Sequence, residues 1–197
     1  LAKSHKLKYE VKRAKLAGKS GLEKSGLEER GRKIRREFFE KLREKHKAKW
    51  ILTAHTEDDQ LETIVLNFLR GSGPAGLAGM KVARGAYLKP FLATPKLEIL
   101  AYLKAQKFKF CRDETNKDTK FRRNLIRKKI LPILMQVNPN LKKTLLRESE
   151  IFANIDTWIK KEAHEFLERH QKGGQLFDRK DFEKLQRVAE EDALDMH

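Results

Sequence analysis

The sequence predicts an α/β domain followed by a helical one. Short apolar runs alternate with helical patterns up to about residue 106, and beyond it only helical patterns recur. A third observation places the chemistry. The apolar run Trp50-Ile51-Leu52 leads into a histidine, three consecutive acids and an amphipathic helix. Open α/β sheets bind their ligands at such strand-to-helix junctions.

The elements follow in order. Leu7 to Val11 alternates and reads as a strand. Residues 14–26 are polar, hold Gly18, Gly21 and Gly26, and read as a loop. Gly18-Lys19-Ser20 has the ending of a phosphate-binding loop, but the required glycine five residues earlier is Arg13 and no buried strand leads in. Leu27 to Lys45 reads as a helix with Ile34, Phe38 and Leu42 on one face. Arg32, Arg35, Arg36 and Arg43 lie on the others. Trp50 to Thr53 is the next strand and Asp58 to Arg70 the next helix. Tyr87 to Lys89 is a short strand stopped by Pro90. Thr94-Pro95 opens a helix to about Gln106, with threonine as cap and proline at the first helical position. Residues 107–120 are a polar loop. Phe121 to Met135 is helical but contains Pro132, which kinks or restarts it. Residues 140–170 are a long helix with Leu145, Ile151, Ile155, Trp158 and Ile159 inward. Gly173-Gly174 breaks it, and Asp178 caps a final helix. The expected organisation is an α/β catalytic domain over 1–106, a basic connecting segment over 107–139 and a helical domain over 140–197. Two or three strands are few for a parallel sheet, so further strands are expected upstream of Leu1.

Composition narrows the partner. The 197 residues carry a net charge of +17. Residues 1–50 hold 18 Lys and Arg against 7 acids, and residues 104–129 hold 11 against 3. Residues 148–197 reverse the balance with 8 against 13. Two basic zones flanking a neutral segment favour a polyanion, nucleic acid ahead of membrane; the alternative is a lysine-rich solvated surface. The acidic helices after residue 148 pack on the α/β domain or on a second subunit, which makes a homodimer one expectation. The single cysteine, Cys111, excludes an internal disulfide and a cysteine-based zinc cluster, and fits a cytoplasmic protein. No apolar run is long enough to span a bilayer.

A helix starting near Thr56 places His55, Asp59 and Glu62 on one stripe and Leu61, Ile64, Val65 and Phe68 on another that packs on a sheet. Thr56, Glu57 and Asp58 also suit the positive start of a helix, so capping is the competing reading for the first turn. Capping accounts for neither Glu62 nor His55. A second constellation lies at residues 113–139. Asp113, Asn116 and Asp118 suit tight turns, and Arg122, Arg123, Arg127 and Lys128 follow on a helix. Arg123 and Arg127 are four apart, so both forks can face one phosphate or carboxylate; salt bridges to Asp113 and Asp118 are the competing reading.

Together these stretches resemble the bacterial tRNA(Ile)-lysidine synthetases, within the N-type ATP pyrophosphatases. The residues that carry the resemblance are HTEDDQLET at 55–63, RGSG at 70–73, GLAGM at 76–80, DETNKDTKFRRNLIR at 113–127 and LPIL at 131–134. GLEERGRKIRREFF at 26–39 matches an earlier arginine-rich segment. The family commonly has two adjacent histidines where this chain has His55-Thr56. The resemblance implies a Rossmann-like parallel sheet of the adenine nucleotide alpha hydrolase type. It implies a ligase that uses ATP and Mg²⁺ to join L-lysine to C2 of the wobble cytidine of tRNA(Ile) with a CAU anticodon, through an adenylated tRNA. Asp59, Glu62 and Arg127 are then the catalytic candidates, with Asp59 and Glu62 also candidate Mg²⁺ ligands. His55, Asp58, Arg35, Arg36, Arg123, Asn124, Gly71 and Gly73 are candidates for binding ATP or substrate. The family's Ser-Gly-Gly-x-Asp-Ser loop is not found, and the resemblance implies a truncated or separately supplied N-terminal segment that carries it. Two other readings stand beside this one: a related tRNA thiolase, which the single cysteine disfavours, and a noncatalytic tRNA-binding fragment.

Overall fold

The computed structural model describes residues 2–3, 5–14, 24–108, 110 and 122–170. The turn residues Asp113, Asn116 and Asp118, the thiol of Cys111, Gly173-Gly174 and the cap at Asp178 lie outside them. The chain divides into two compact units, residues 1–60 with 81–110 and residues 61–80 with 111–197. These units cut across the sequence division at 106 and 139, because residues 61–80 group with the later helices.

The first unit holds helix α1 (Lys24–Lys45), strand β1 (Ile51–Leu52), the first turn of helix α2 (Glu57–Leu69), strands β2 (Ala83–Arg84) and β3 (Tyr87–Leu88), and helix α4 (Lys96–Ala105). The sheet order is β1-β3-β2. β1 pairs with β3 in parallel, Ile51 opposite Tyr87, and Thr53 N–H extends the ladder by donating to the Leu88 carbonyl at 2.9 Å. The expected parallel pairing is present, but the described sheet is mixed. β2, which the sequence did not reveal, pairs antiparallel with β3 through a two-residue connection. Gly85 opens that connection at φ +58, a conformation glycine adopts without steric cost.

Leu7 to Val11 does not form a strand. A strand needs a hydrogen-bonded neighbour, and among the described residues this segment has none; Leu7 is 63 % and Val11 76 % exposed. Glu10 instead fastens the segment to the end of α1, accepting from Lys45 Nζ at 2.9 Å and meeting His46 Nε2 at 2.7 Å.

The described elements of the second unit are helices joined by short turns. They are the rest of α2, helix α3 (Pro74–Leu77), helix α5 (Arg122–Leu125), a π-helical turn (Ile126–Ile130), helix α6 (Leu131–Val137) and helix α7 (Leu141–His170). Its core joins Val65 to Ile126 and Leu131, lined by Leu66, Ile130, Met135, Leu141 and Leu145. Val65 thus packs on later helices rather than on a sheet. Leu61 and Ile64 are buried as expected, but Phe68 is exposed. The break expected at Pro132 takes the form of the π turn just before it. Proline has no N–H to give an α-helical acceptor four residues back and its ring crowds that carbonyl, and a widened turn accommodates both.

Helix α7 corrects a second expectation. Its inward row runs through Leu145, Ser149 and Asp156, while Ile151, Ile155, Trp158 and Ile159 lie on the other side, 36–59 % exposed. Polar residues tolerate that inward row because they are satisfied: Ser149 Oγ donates to the Leu146 carbonyl at 2.7 Å, and Lys160 Nζ meets Asp156 Oδ2 at 2.6 Å. Among the described residues no helix is long and apolar enough to cross a membrane.

Candidate functional site: the acidic helix and its arginine

The site is built on α2. Just beyond the carboxyl end of β1, Thr53 Oγ1 meets His55 Nδ1 at 3.0 Å and orients the ring. The helix begins after Thr56, which is buried. Thr56 N–H and Oγ1 both donate to Asp59 Oδ2 at 2.9 Å. The third helical residue therefore reaches back to the cap residue, as in a capping box. The four first-turn N–H groups have no helical acceptors, and they place positive charge where three acids stand.

Asp58 turns the other way. Its Oδ2 accepts from Lys96 N–H at 2.8 Å, at the start of α4. Glu57 N–H in turn donates to the Thr94 carbonyl at 3.1 Å. The cap expected from Thr94 is absent: Pro95 occupies the cap position, one residue before the helix, and no side chain of that residue caps it. A prolyl ring offers no acceptor, so a carboxylate 38 residues away supplies one.

Glu62 lies one turn further along α2 and is 1 % exposed. Its two carboxylate oxygens face Arg127 of the π turn: Nη2 donates to Oε2 at 3.1 Å, and Nε donates to Oε1. Burying a carboxylate costs several kcal/mol unless a partner of opposite charge is hydrogen-bonded to it, and a two-point guanidinium fork is the strongest such partner. Arg123, four residues earlier, donates through Nη2 to Thr63 Oγ1 at 3.3 Å, while its buried Nε has no hydrogen-bond partner among the described residues. The two arginines thus engage successive residues of α2, Glu62 and Thr63, and Asn124 between them is buried.

The arginines of α1 divide similarly. Arg36 lies over the Tyr87 ring, 5.6 Å from its centroid, while Arg35 projects into solvent. Burial, with the Glu40 carboxylate beside it, raises the Tyr87 phenol above its ordinary pKa. Gly71 sits at φ +73 after α2. Its N–H donates to the Phe68 carbonyl and Ser72 N–H to the Asn67 carbonyl, the paired closure of a Schellman motif. Among the described residues, a Cβ at Gly71 or Gly73 would meet nothing within 4 Å. Gly73 precedes Pro74, the first residue of α3.

Mg²⁺ needs several oxygens held octahedrally around one point. Asp59 Oδ2 already accepts twice from Thr56, and both Glu62 oxygens meet a guanidinium. Among the described residues no three His, Cys, Asp or Glu side chains gather as a metal cage. Asp59 Oδ2 and both Glu62 oxygens are thus engaged by donors of the protein itself.

The sequence reading missed Thr63 as the Arg123 acceptor and Lys96 as the Asp58 donor. Neither has a local signal, since both are partners across long stretches of chain. The Thr56–Asp59 pair did have one, in its cap-to-third-residue spacing.

The PP-loop domain family matches residues 1–134. The chain belongs to that family. This PP-loop domain is also 40 % identical over 140 residues to the tRNA(Ile)-lysidine synthase of Francisella tularensis subsp. tularensis strain WY96-3418, covering 69 % of this chain and 35 % of that one. It is 39 % identical to the tRNA(Ile)-lysidine synthase of Porphyromonas gingivalis strain W83 over 141 residues, covering 71 % and 31 %. It is 37 % identical to that of Thermosipho africanus over 137 residues, covering 70 % and 32 %. The resemblance carried by the motifs is borne out by these relatives, of whose length the chain spans about a third. In fold, the domain is similar to a U34-tRNA thiolase, NcsA from Methanococcus maripaludis, solved with its [4Fe-4S] cluster. The TM-score is 0.54 at 15 % identity, covering 76 % of this chain and 52 % of that one.

Proposed function

We propose that this chain is part of an ATP-dependent ligase that joins L-lysine to C2 of the wobble cytidine in the CAU anticodon of tRNA(Ile). In the first step the C2 oxygen attacks the α-phosphorus of ATP and pyrophosphate leaves. In the second the lysine ε-amine attacks C2, AMP leaves with the oxygen, and the nitrogen loses a proton. Asp59 receives the ammonium and accepts that proton, since it lies in the first turn and is partly open to solvent. Arg127 stabilises charge that develops on the phosphoryl oxygens, and Glu62 fixes its orientation. Arg35 and Arg36 contribute cationic contacts to phosphate, with Arg123, Asn124 and His55 in supporting contacts and the backbones at Gly71 and Gly73 allowing close approach. ATP and tRNA are substrates, and the reaction belongs to the cytoplasm, where tRNA is modified.

The observation that carries this reading is the buried Glu62 paired at two points with Arg127. Both lie in motifs of the lysidine synthetase resemblance, 65 residues apart. The +17 charge supports a nucleic-acid substrate. Isothermal titration of the full-length protein with L-lysine and ATP tests the reading: saturable binding of both is expected. Binding of tRNA with neither small molecule would favour the noncatalytic RNA-binding alternative.

A further inference from the structure

We propose that Asp58 is a positioning residue that fastens the start of α2 to the start of α4, rather than a contact to ATP or substrate. The inference rests on the lysidine-forming reading of the Asp59 region. Two hydrogen bonds close the connection from opposite sides. Asp58 Oδ2 accepts from Lys96 N–H at 2.8 Å, and Glu57 N–H donates to the Thr94 carbonyl at 3.1 Å. Adjacent residues of α2 thereby grip residues on either side of Pro95. Pro95 supplies no cap, so Asp58 supplies the side-chain acceptor at the positive end of α4, where Glu98 of the first turn adds a second negative charge. The neighbouring Asp59 turns back onto Thr56. The two consecutive acids thus divide the work, with Asp59 closing its own helix and Asp58 holding another. Loosening the Asp58 link lets the first turn of α2 shift, and with it His55 and Asp59.

The donor can be removed without touching Asp58. Pro95 has φ −58 and ψ 136, the extended conformation required of a residue before proline, and Lys96 is the first helical residue, where proline is tolerated. Lys96→Pro therefore deletes the N–H and leaves the backbone path intact. The experiment compares Asp58→Ala, Asp58→Asn, Lys96→Pro and Asp58→Ala/Lys96→Pro in the full-length protein, reading lysine incorporation into tRNA(Ile) and Tm. Asp58→Ala and Lys96→Pro are each expected to lower kcat by about ten- to a hundredfold with little change in KM for lysine or ATP. Each should also lower Tm by about 2–4 °C. The double variant should lose no more than either single one. Asparagine keeps the acceptor oxygen and caps helices about as well as aspartate, so Asp58→Asn is expected to recover kcat to within about fivefold of the parent.

An Asp58→Asn variant as impaired as Asp58→Ala, with KM for ATP or lysine raised, would show a ligand contact through charge and overturn the proposal. So would additive losses in the double variant, or an unimpaired Lys96→Pro. If the parent protein forms no lysidine, the functional reading fails by itself, and the Tm cycle still decides whether Asp58 and Lys96 are coupled.

Discussion

Arg127 holds the buried carboxylate of Glu62 at two points, through Nε and Nη2, across 65 residues of sequence. A carboxylate at 1 % exposure tolerates that position only with a cation hydrogen-bonded to it. The pair therefore couples α2 to the π turn and gives the arginine a fixed direction. The α2 residues around it make distinct contacts. Asp59 closes the helix start, Asp58 reaches α4, and Thr63 receives Arg123.

Removing one member of the buried pair is costlier than removing both. Arg127→Ala is expected to destabilise the protein by about 2–4 kcal/mol, toward the low side of the range for broken buried pairs because the Arg127 side chain is 32 % exposed. Arg127→Ala combined with Glu62→Gln should recover part of that loss, since no unpaired charge is left buried. Urea unfolding of the three proteins measures both quantities. A double variant less stable than Arg127→Ala would remove this account of the pair.

The Thr56–Asp59 cap acts as a unit. Thr56→Ala and Asp59→Ala are each expected to cost about 1 kcal/mol, and the double variant less than their sum, because both remove the bond from Thr56 Oγ1 to Asp59 Oδ2. Thermal unfolding followed by circular dichroism reads the three values. Strict additivity would mean that the two side chains do not cap together.

Helix ends give predictions of opposite sign. Among the described residues, three helices close with the same paired hydrogen bonds, after residue 45 with Lys47 at φ 50, after residue 69 with Gly71 at φ 73, and after residue 105 with Lys107 at φ 55. A side chain in that conformation costs about 1–2 kcal/mol relative to a right-handed one, and glycine avoids the cost. Gly71→Ala is thus expected to destabilise by about 1 kcal/mol. Lys47→Gly and Lys107→Gly should each stabilise by about 0.5–1 kcal/mol, less the entropy glycine adds to the unfolded chain. Denaturant midpoints at constant m-value provide the test; a stabilising Gly71→Ala would contradict the assigned geometry.

Much of the local order was legible in residue patterns. The strand after Lys49, the helix from Glu57, the parallel β1–β3 pair and the restart at Pro132 all follow from periodicity and backbone chemistry. Phe68 and the Ile151–Ile159 face misled because apolar spacing states which residues share a face, not which face finds a cover. Thr94 misled because a good cap residue one position too early cannot reach the helix. At the site, the sequence singled out Glu62 as the acid that capping leaves unexplained, and the structure brings it to Arg127. The Arg123–Thr63 and Asp58–Lys96 contacts were not readable, since each joins residues far apart in the chain with no local pattern.

The functional claim is tested most directly by single-turnover lysine incorporation into tRNA(Ile) by the full-length protein carrying Asp59→Asn or Glu62→Gln. Each substitution keeps size and hydrogen-bonding shape while removing charge. The account predicts a rate at least about a hundredfold below the parent for each. Near-normal incorporation by both variants would contradict it.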